Sequence, residues 1–411
     1  MATYDRRVVR GTALLVAARV ATAICALAIM KILAVHIDKE AFGRYGSTIA
    51  LYQIFDVFVD FGSLSAAVRG VAQRPETGRA HVRAAVQFRL VTAAIAVVVS
   101  TATALALGDP QVALVALASL TFFAHAAGVH VAVLHADINF LRSEVYRVFG
   151  SAAALVLTWL LIVAGYRDAG TMLVAAMGGP AIANLLLAFS VRGTVPLGDM
   201  PIHRPSFFVQ SLTLGLGAVV RQAYYSLNPL LTRTLAGDLA ASKFIPAYRL
   251  TGFSILIAVY FGSAVMPALV KLHEENPEEK KRFTRRWTLR LAAIGVAVGL
   301  AMYFSREWLL VLAFDESYRS SERVLAPMCI TSAVIYVGGF LITQLIAEGR
   351  MQATVWASLA GLFANLFMNF TLTPEYGAVG AAWASVVTEV TVAGAAWIAL
   401  HVWPSRRGRV L

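Results

Sequence analysis

The chain has 411 residues, of which 59% are hydrophobic and only 14% charged. A water-soluble domain carries about 25% charged residues, so this sequence lacks the polar surface to cover itself in water and calls for a bilayer. Its formal charge of +12 does not indicate nucleic acid, because the basic residues fall between apolar stretches instead of gathering on one face.

A membrane-crossing helix needs roughly 20 mostly apolar residues. In chain order the sequence predicts such helices at 11–35, 45–68, 84–107, 111–135, 144–165 and 169–191, then at 207–234, 244–270, 288–304, 321–347, 351–373 and 377–402. The first is read as a retained helix and not a signal peptide, since no small-residue cleavage site follows it. Between the sixth and seventh lies a Pro-rich stretch with Pro196, Pro201 and Pro205. The expected organisation is therefore an N-terminal six-helix lobe over 1–195, a cytoplasmic linker over 196–206 and a C-terminal six-helix lobe over 207–411. The charged run Glu274–Arg286 reads as a solvated cytoplasmic loop. Cys25 and Cys329 lie inside apolar stretches and form neither a disulfide framework nor a metal spacing.

Lys and Arg concentrate in cytoplasmic connections. The termini and even-numbered connections hold roughly 22 of them, among them Arg6, Arg7, Arg74, Arg142, Arg192, Lys280, Arg286, Arg350 and Arg406, against about six in the odd-numbered ones. This places both termini in the cytoplasm of a multi-pass protein of a bacterial inner membrane.

The halves repeat one another. Arg19, Lys31 and Phe42 recur about 200 residues later as Arg221, Arg233 and Phe244, and Phe61-Gly62-Ser63 recurs as Phe261-Gly262-Ser263. Six helices per half make the repeats parallel, related by a pseudo-twofold axis along the membrane normal. The fold class is thus an all-α polytopic membrane protein of about twelve helices.

An ionisable group within a bilayer costs several kcal/mol unless it faces protein or water. Arg19, Arg221, Arg249 and Arg89 are such groups, as are Asp56, Asp60 and Glu389; Lys31 and Arg233 sit near helix ends, from which they can snorkel to headgroups. Asp56 and Asp60 share a helix face, suggesting either charge pairing with Arg19 or proton coupling. Glu389 is a proton or cation coupling site or the partner of a buried arginine. Asn365 and Asn369 also share a face, and Asn228-Pro229 is expected to break the seventh helix. Together these offer amide and carbonyl oxygens to a small cation, or simply hydrogen bonds between helices. His125, His130 and His135 are spaced by five, hence rotated by about 140° on a regular helix, so no metal site is expected from them. No phosphate-binding loop of an ATPase and no H-E-x-x-H motif occurs. Guanidinium groups bind phosphate bidentately, so a cleft lined by Arg19, Arg221 and Arg249 suits a pyrophosphate, with Arg89 a further expected substrate-binding residue. An exporter of organic cations calls instead for acidic and aromatic walls.

The chain resembles the polysaccharide flippases of the multidrug/oligosaccharidyl-lipid/polysaccharide exporter superfamily. The likeness is carried by Glu40–Gly46, Asp60–Arg69, Pro246–Arg249, Met266–Leu269, and above all by Asn365 and Asn369 leading to Pro374–Trp383. It implies two six-helix lobes and a cavity open alternately to either side. The implied cargo is a polyprenyl-pyrophosphate-linked oligosaccharide passing outward, with Arg19 and Arg249 as cavity arginines. Some relatives in the lipid II branch bind sodium between the seventh and the last two helices. Asn365 and Asn369 stand here where an acidic residue can occur in them. No cofactor is expected beyond Na+ or H+ as coupling ion. The expected partners are the lipid-linked oligosaccharide, membrane lipids and other glycan-assembly membrane proteins, with no nucleic acid. A cation-coupled multidrug exporter of the same fold is the alternative. A membrane glycan ligase, polymerase or acyltransferase is disfavoured by short external connections.

Overall fold

A backbone inside lipid must satisfy its own N–H and C=O groups, which leaves helices as the local solution for these apolar runs. The computed structural model describes residues 2–136, 140–191, 198 and 200–402, the side chains of 2–16, Phe140, Leu214 and Ser263 excepted. Arg192, Pro196 and Arg406 therefore lie outside it, as does the side chain of the repeated Ser263. Among the described residues every long element is a helix and no strand occurs.

The N-terminal half runs through α1 (Ala2–His36), α2 (Lys39–Asp60), α3 (Ser63–Gln73) and α4 (Gly78–Ala106), then the three short pieces α5 (Val112–Ser119), α6 (Thr121–Gly128) and α7 (Val131–Ala136), then α8 (Phe140–Val163) and α9 (Ala169–Val191). The remainder holds α10 (Arg204–Ala236), α11 (Asp238–Ser254), α12 (Leu256–Glu275), α13 (Pro277–Phe304), α14 (Arg306–Ala313), α15 (Glu322–Ala347) and α16 (Met351–His401). By length and composition, ten segments can cross a membrane. One of them, α16, is 51 residues long, about twice what a bilayer takes at roughly 1.5 Å per residue. It turns at Gly377, whose φ of 59° and ψ of −135° are non-helical, and so supplies two crossings. With α10, which lies outside the ten, the chain has the twelve spans expected. Large apolar side chains stand exposed along them, such as Phe304, Phe363 and Val98, as suits a surface solvated by lipid.

Two compact units emerge, Met1–Gln222 and Ala223–Leu411. The change from one to the other comes within α10, beyond the 196–206 connection. In the first unit α8 and α9 approach through small residues: a Cβ on Gly179 would lie 2.3 Å from the Gly150 carbonyl oxygen, the kind of contact that replaces hydrophobic driving force in lipid. In the second, Gly295 and Gly299 of α13 do the same against the backbone of α15 at Ala333 and Cys329. Around that seam Leu269, Leu291, Tyr336 and Phe340 form a core.

Three expectations are corrected. The run Glu274–Arg286 is helical, not a loop: α12 extends to Glu275, and Asn276 caps α13 by accepting the Glu279 N–H at 3.0 Å. Lys280 within it is buried against Glu348 and lies 3.2 Å from His273 Nδ1, while Arg350 pairs with the same Glu348 at 3.5 Å. Arg233 does not snorkel; it is buried and paired with Asp238 at 2.8 Å. Finally, Asn228-Pro229 does not break α10, which is helical from Arg204 to Ala236. Proline removes the N–H that would meet the carbonyl four residues earlier, and Tyr248 Oη donates to that carbonyl, on Tyr225, at 3.2 Å.

The backbone of Gly377 occupies a region essentially reserved for glycine. Gly377→Ala is expected to cost about 1–3 kcal/mol, read as a lowered Tm of the detergent-solubilised protein; an unchanged Tm would mean that the corner tolerates a side chain.

Candidate functional site

The first unit collects its charges around a helix break. Phe61 takes the left-handed conformation (φ 36°) and Gly62 follows it (φ 79°), ending α2 and restarting as α3. Freed from the helix, Asp60 accepts the Leu64 N–H at 3.0 Å and the Ser63 hydroxyl at 3.2 Å. Arg89 of α4 is buried behind it. Its Nε donates to Ser63 Oγ at 2.8 Å, one Nη to the His125 carbonyl at 2.9 Å, and the other to the Asp60 carboxylate. Asp56, one turn earlier, meets His125 Nδ1 on α6. Glu144 and Arg147 of α8 pair at 3.3 Å. The positive charge of Arg147 reaches Asp56 and, together with that of Arg19, His135.

The expected pairing of Asp56 and Asp60 with Arg19 is therefore overturned: His125 and Arg89 take those places. Arg89, expected to bind substrate, has three of its donors and its charge engaged within the unit. Arg19 and Arg221 are exposed and have no carboxylate partner among the described residues. Sequence reasoning misses His125, His135, Glu144 and Arg147. Face arithmetic for a regular helix sets the histidines aside, but the fourth span is broken at Leu120 and Val129, so that arithmetic does not hold across it.

In the second unit the three asparagines meet. Asn228 Oδ1 accepts from Asn365 Nδ2 and Asn369 Nδ2, both at 2.8 Å. Asn365 Nδ2 also reaches Thr388 Oγ1 at 3.1 Å, Asn228 Nδ2 donates to Ser385 Oγ at 3.0 Å, and Thr373 Oγ1 donates to Asn369 Oδ1 at 2.9 Å. Asn365 and Asn369 are fully buried and Asn228 nearly so. A sodium ion needs oxygens free of hydrogen donors, whereas each amide oxygen here already faces an N–H or O–H. The cluster as arranged is a tie between α10 and the two arms of α16, and it does not fit a bare cation. Among the described residues no group of three or more His, Cys, Asp or Glu side chains could hold a metal ion.

Beside this tie is a small cavity lined by Tyr224, Tyr225, Tyr248, Thr331, Thr388 and Glu389. Glu389 is 8% exposed and has no hydrogen bond or ion pair among the described residues, which removes its reading as an arginine's partner. Arg249 lies with its guanidinium 6.0 Å from the Tyr248 ring centroid, and its buried Nε has no acceptor among the described residues.

Residues 8–273 match the model of a family described as polysaccharide biosynthesis protein. The chain belongs to that family. A capsular polysaccharide biosynthesis protein, CapF, of Staphylococcus aureus is 27% identical over 180 residues, which cover 43% of this chain and 46% of that protein; the match thus spans under half of that relative. The fold matches the lipid II flippase MurJ in an inward closed conformation, with a TM-score of 0.76, 14% identity and coverage of 95% of this chain and 88% of that one. It also matches an inward-facing multidrug resistance MATE family transporter of the MOP superfamily, with a TM-score of 0.74, 14% identity and coverage of 92% and 93%. The chain is thus a multi-pass membrane protein of a polysaccharide biosynthesis family, and its fold is the one those two structures share.

The Asp60–Arg89 pair makes a quantitative expectation. Asp60→Ala and Arg89→Ala should each lower the Tm, and the double variant should fall short of their sum by a coupling of about 1–3 kcal/mol; strict additivity would show the pair to be energetically inert.

Proposed function

We propose that this chain is a flippase that moves a polyprenyl-pyrophosphate-linked oligosaccharide from the cytoplasmic to the outer leaflet by alternating access. One observation carries the reading. Within spans where an ion needs a partner, Arg19, Arg221 and Arg249 have no carboxylate against them among the described residues, while Asp56, Asp60 and Glu144 are each paired. Three guanidiniums without anions suit an anionic cargo, and diphosphate offers each a bidentate match. The polysaccharide family supports a glycan cargo, and the loop charges support an inner-membrane location with both termini in the cytoplasm. Membrane lipids and other glycan-assembly proteins are the expected neighbours. The hydrogen-bonded asparagine tie favours a proton over sodium as coupling ion, with Glu389 a candidate carrier in the second unit.

A second reading has one observation of its own: the tyrosines and Glu389 make an aromatic, acidic wall of the kind an organic cation prefers. It predicts drug resistance in a sensitised strain that is lost in Glu389→Gln.

The test uses a strain lacking its own polysaccharide flippase. The full chain should restore surface glycan. Arg19→Ala, Arg221→Ala and Arg249→Ala should each lower export, by about tenfold for every 1.4 kcal/mol of charge-assisted hydrogen bonding removed, with the protein still inserted. Undiminished export by the triple variant would refute the reading.

A further inference from the structure

Among the described residues, the charges clustered in the first unit do not balance. Asp56, Asp60 and Glu144 supply three negative charges, and the arginines that reach them, Arg89 and Arg147, supply two. The remaining partner is His125, which is neutral or positive according to whether it holds a proton. Its Nδ1 meets the Asp56 carboxylate, and the imidazole is mostly enclosed while the carboxylate opens outward, at 12% and 56% side-chain exposure. Protons therefore have an entry side, through Asp56, and a holding side, on the imidazole.

We propose that Asp56 and His125 form a proton-binding site whose occupancy holds α6 against α2. With the proton, imidazolium and carboxylate make a neutral pair that a low-dielectric span tolerates. Without it, one carboxylate charge is left over, and the ionic attraction between α6 and α2 disappears. Arg89 and Arg147 reach Asp56 with their charge but make their contacts elsewhere. Arg89 is committed to Asp60 and Ser63, Arg147 to Glu144, and Arg19 acts on His135. The helices α5 and α9, which also pack on α6, carry no charged residue. His125 sits in the middle of a span already cut at Leu120 and Val129, so a short segment is free to respond. Its carbonyl is also held by Arg89, which ties the same segment to Asp60 at the Phe61-Gly62 break. Imidazole is the side chain that ordinarily changes charge between about pH 5 and 8, the range in which membrane proton gradients operate.

The use of this proton to drive export rests on the flippase reading, so the two are tested apart. Hydrogen exchange is followed on the full chain in nanodiscs at about pH 5 and about pH 8, corrected for intrinsic rates. In the wild type the Thr121–Gly128 segment is expected to exchange about threefold or more slower at the lower pH. His125→Gln and Asp56→Asn should abolish that difference, and His130→Gln should retain it. Equal protection at both pH values in the wild type, or a difference surviving in His125→Gln, overturns the proton site. Loss of glycan export on collapsing the pH gradient with nigericin, in the complemented strain, then reports coupling. If the wild-type chain exports no glycan there at all, the flippase reading fails while the exchange result still decides the site.

Discussion

A charge within a lipid-spanning helix must find an opposite charge, a polar cavity or the membrane surface, and this constraint sorts the chain's arginines. Arg89, Arg147 and Arg233 find carboxylates on Asp60, Glu144 and Asp238. Arg19, Arg221 and Arg249 find none among the described residues. Of the first group, Arg89 ties α4 to the end of α2 and Arg233 ties α10 to α11, helices with little hydrophobic reason to associate in lipid, while Arg147 pairs within α8. The second has no such partner among the described residues, and two of its members, Arg19 and Arg221, occupy matching positions of the sequence repeat.

The two units use their polar residues differently. The first is held by ion pairs around a helix break, so its polar core is charged and open to protonation. The second centres on neutral amides and hydroxyls, with the carboxyl of Glu389 among tyrosines, and places its ion pairs Arg233–Asp238 and Lys280–Glu348 at helix ends. Equivalent positions can share burial without sharing conformation. Phe42 and Phe244 are both fully buried. Phe61-Gly62, however, breaks its helix, whereas Phe261-Gly262 continues inside α12, where a Cβ on Gly262 would come 3.0 Å from Thr343 Oγ1.

Much of the fold was legible because hydrophobic length and interruption are local properties of a sequence. The corner at Pro374–Gly377 falls between two predicted helices and is where α16 turns. The candidate site was legible one residue at a time but not as pairs. Asp56 and Asp60 stand out as costly charges, yet only tertiary structure brings His125 and Arg89 to them. Asn228-Pro229 looks like a helix break because proline removes a hydrogen bond; the Tyr248 hydroxyl supplies a substitute to a carbonyl 23 residues earlier in the chain. The run Glu274–Arg286 looks like a loop because it is charged, but Asn276 caps it into helix and Glu348 buries Lys280.

The proposed function makes Arg19, Arg221 and Arg249, which have no carboxylate partner among the described residues, the groups that hold the diphosphate of the cargo. Its most direct test is native mass spectrometry of the purified full chain with a polyprenyl diphosphate and with the corresponding neutral polyprenol. Preferential retention of the diphosphate, lost when Arg19, Arg221 and Arg249 are replaced together by Gln, is the predicted result. Equal retention of both lipids, or retention of the diphosphate unchanged by those substitutions, would contradict the account.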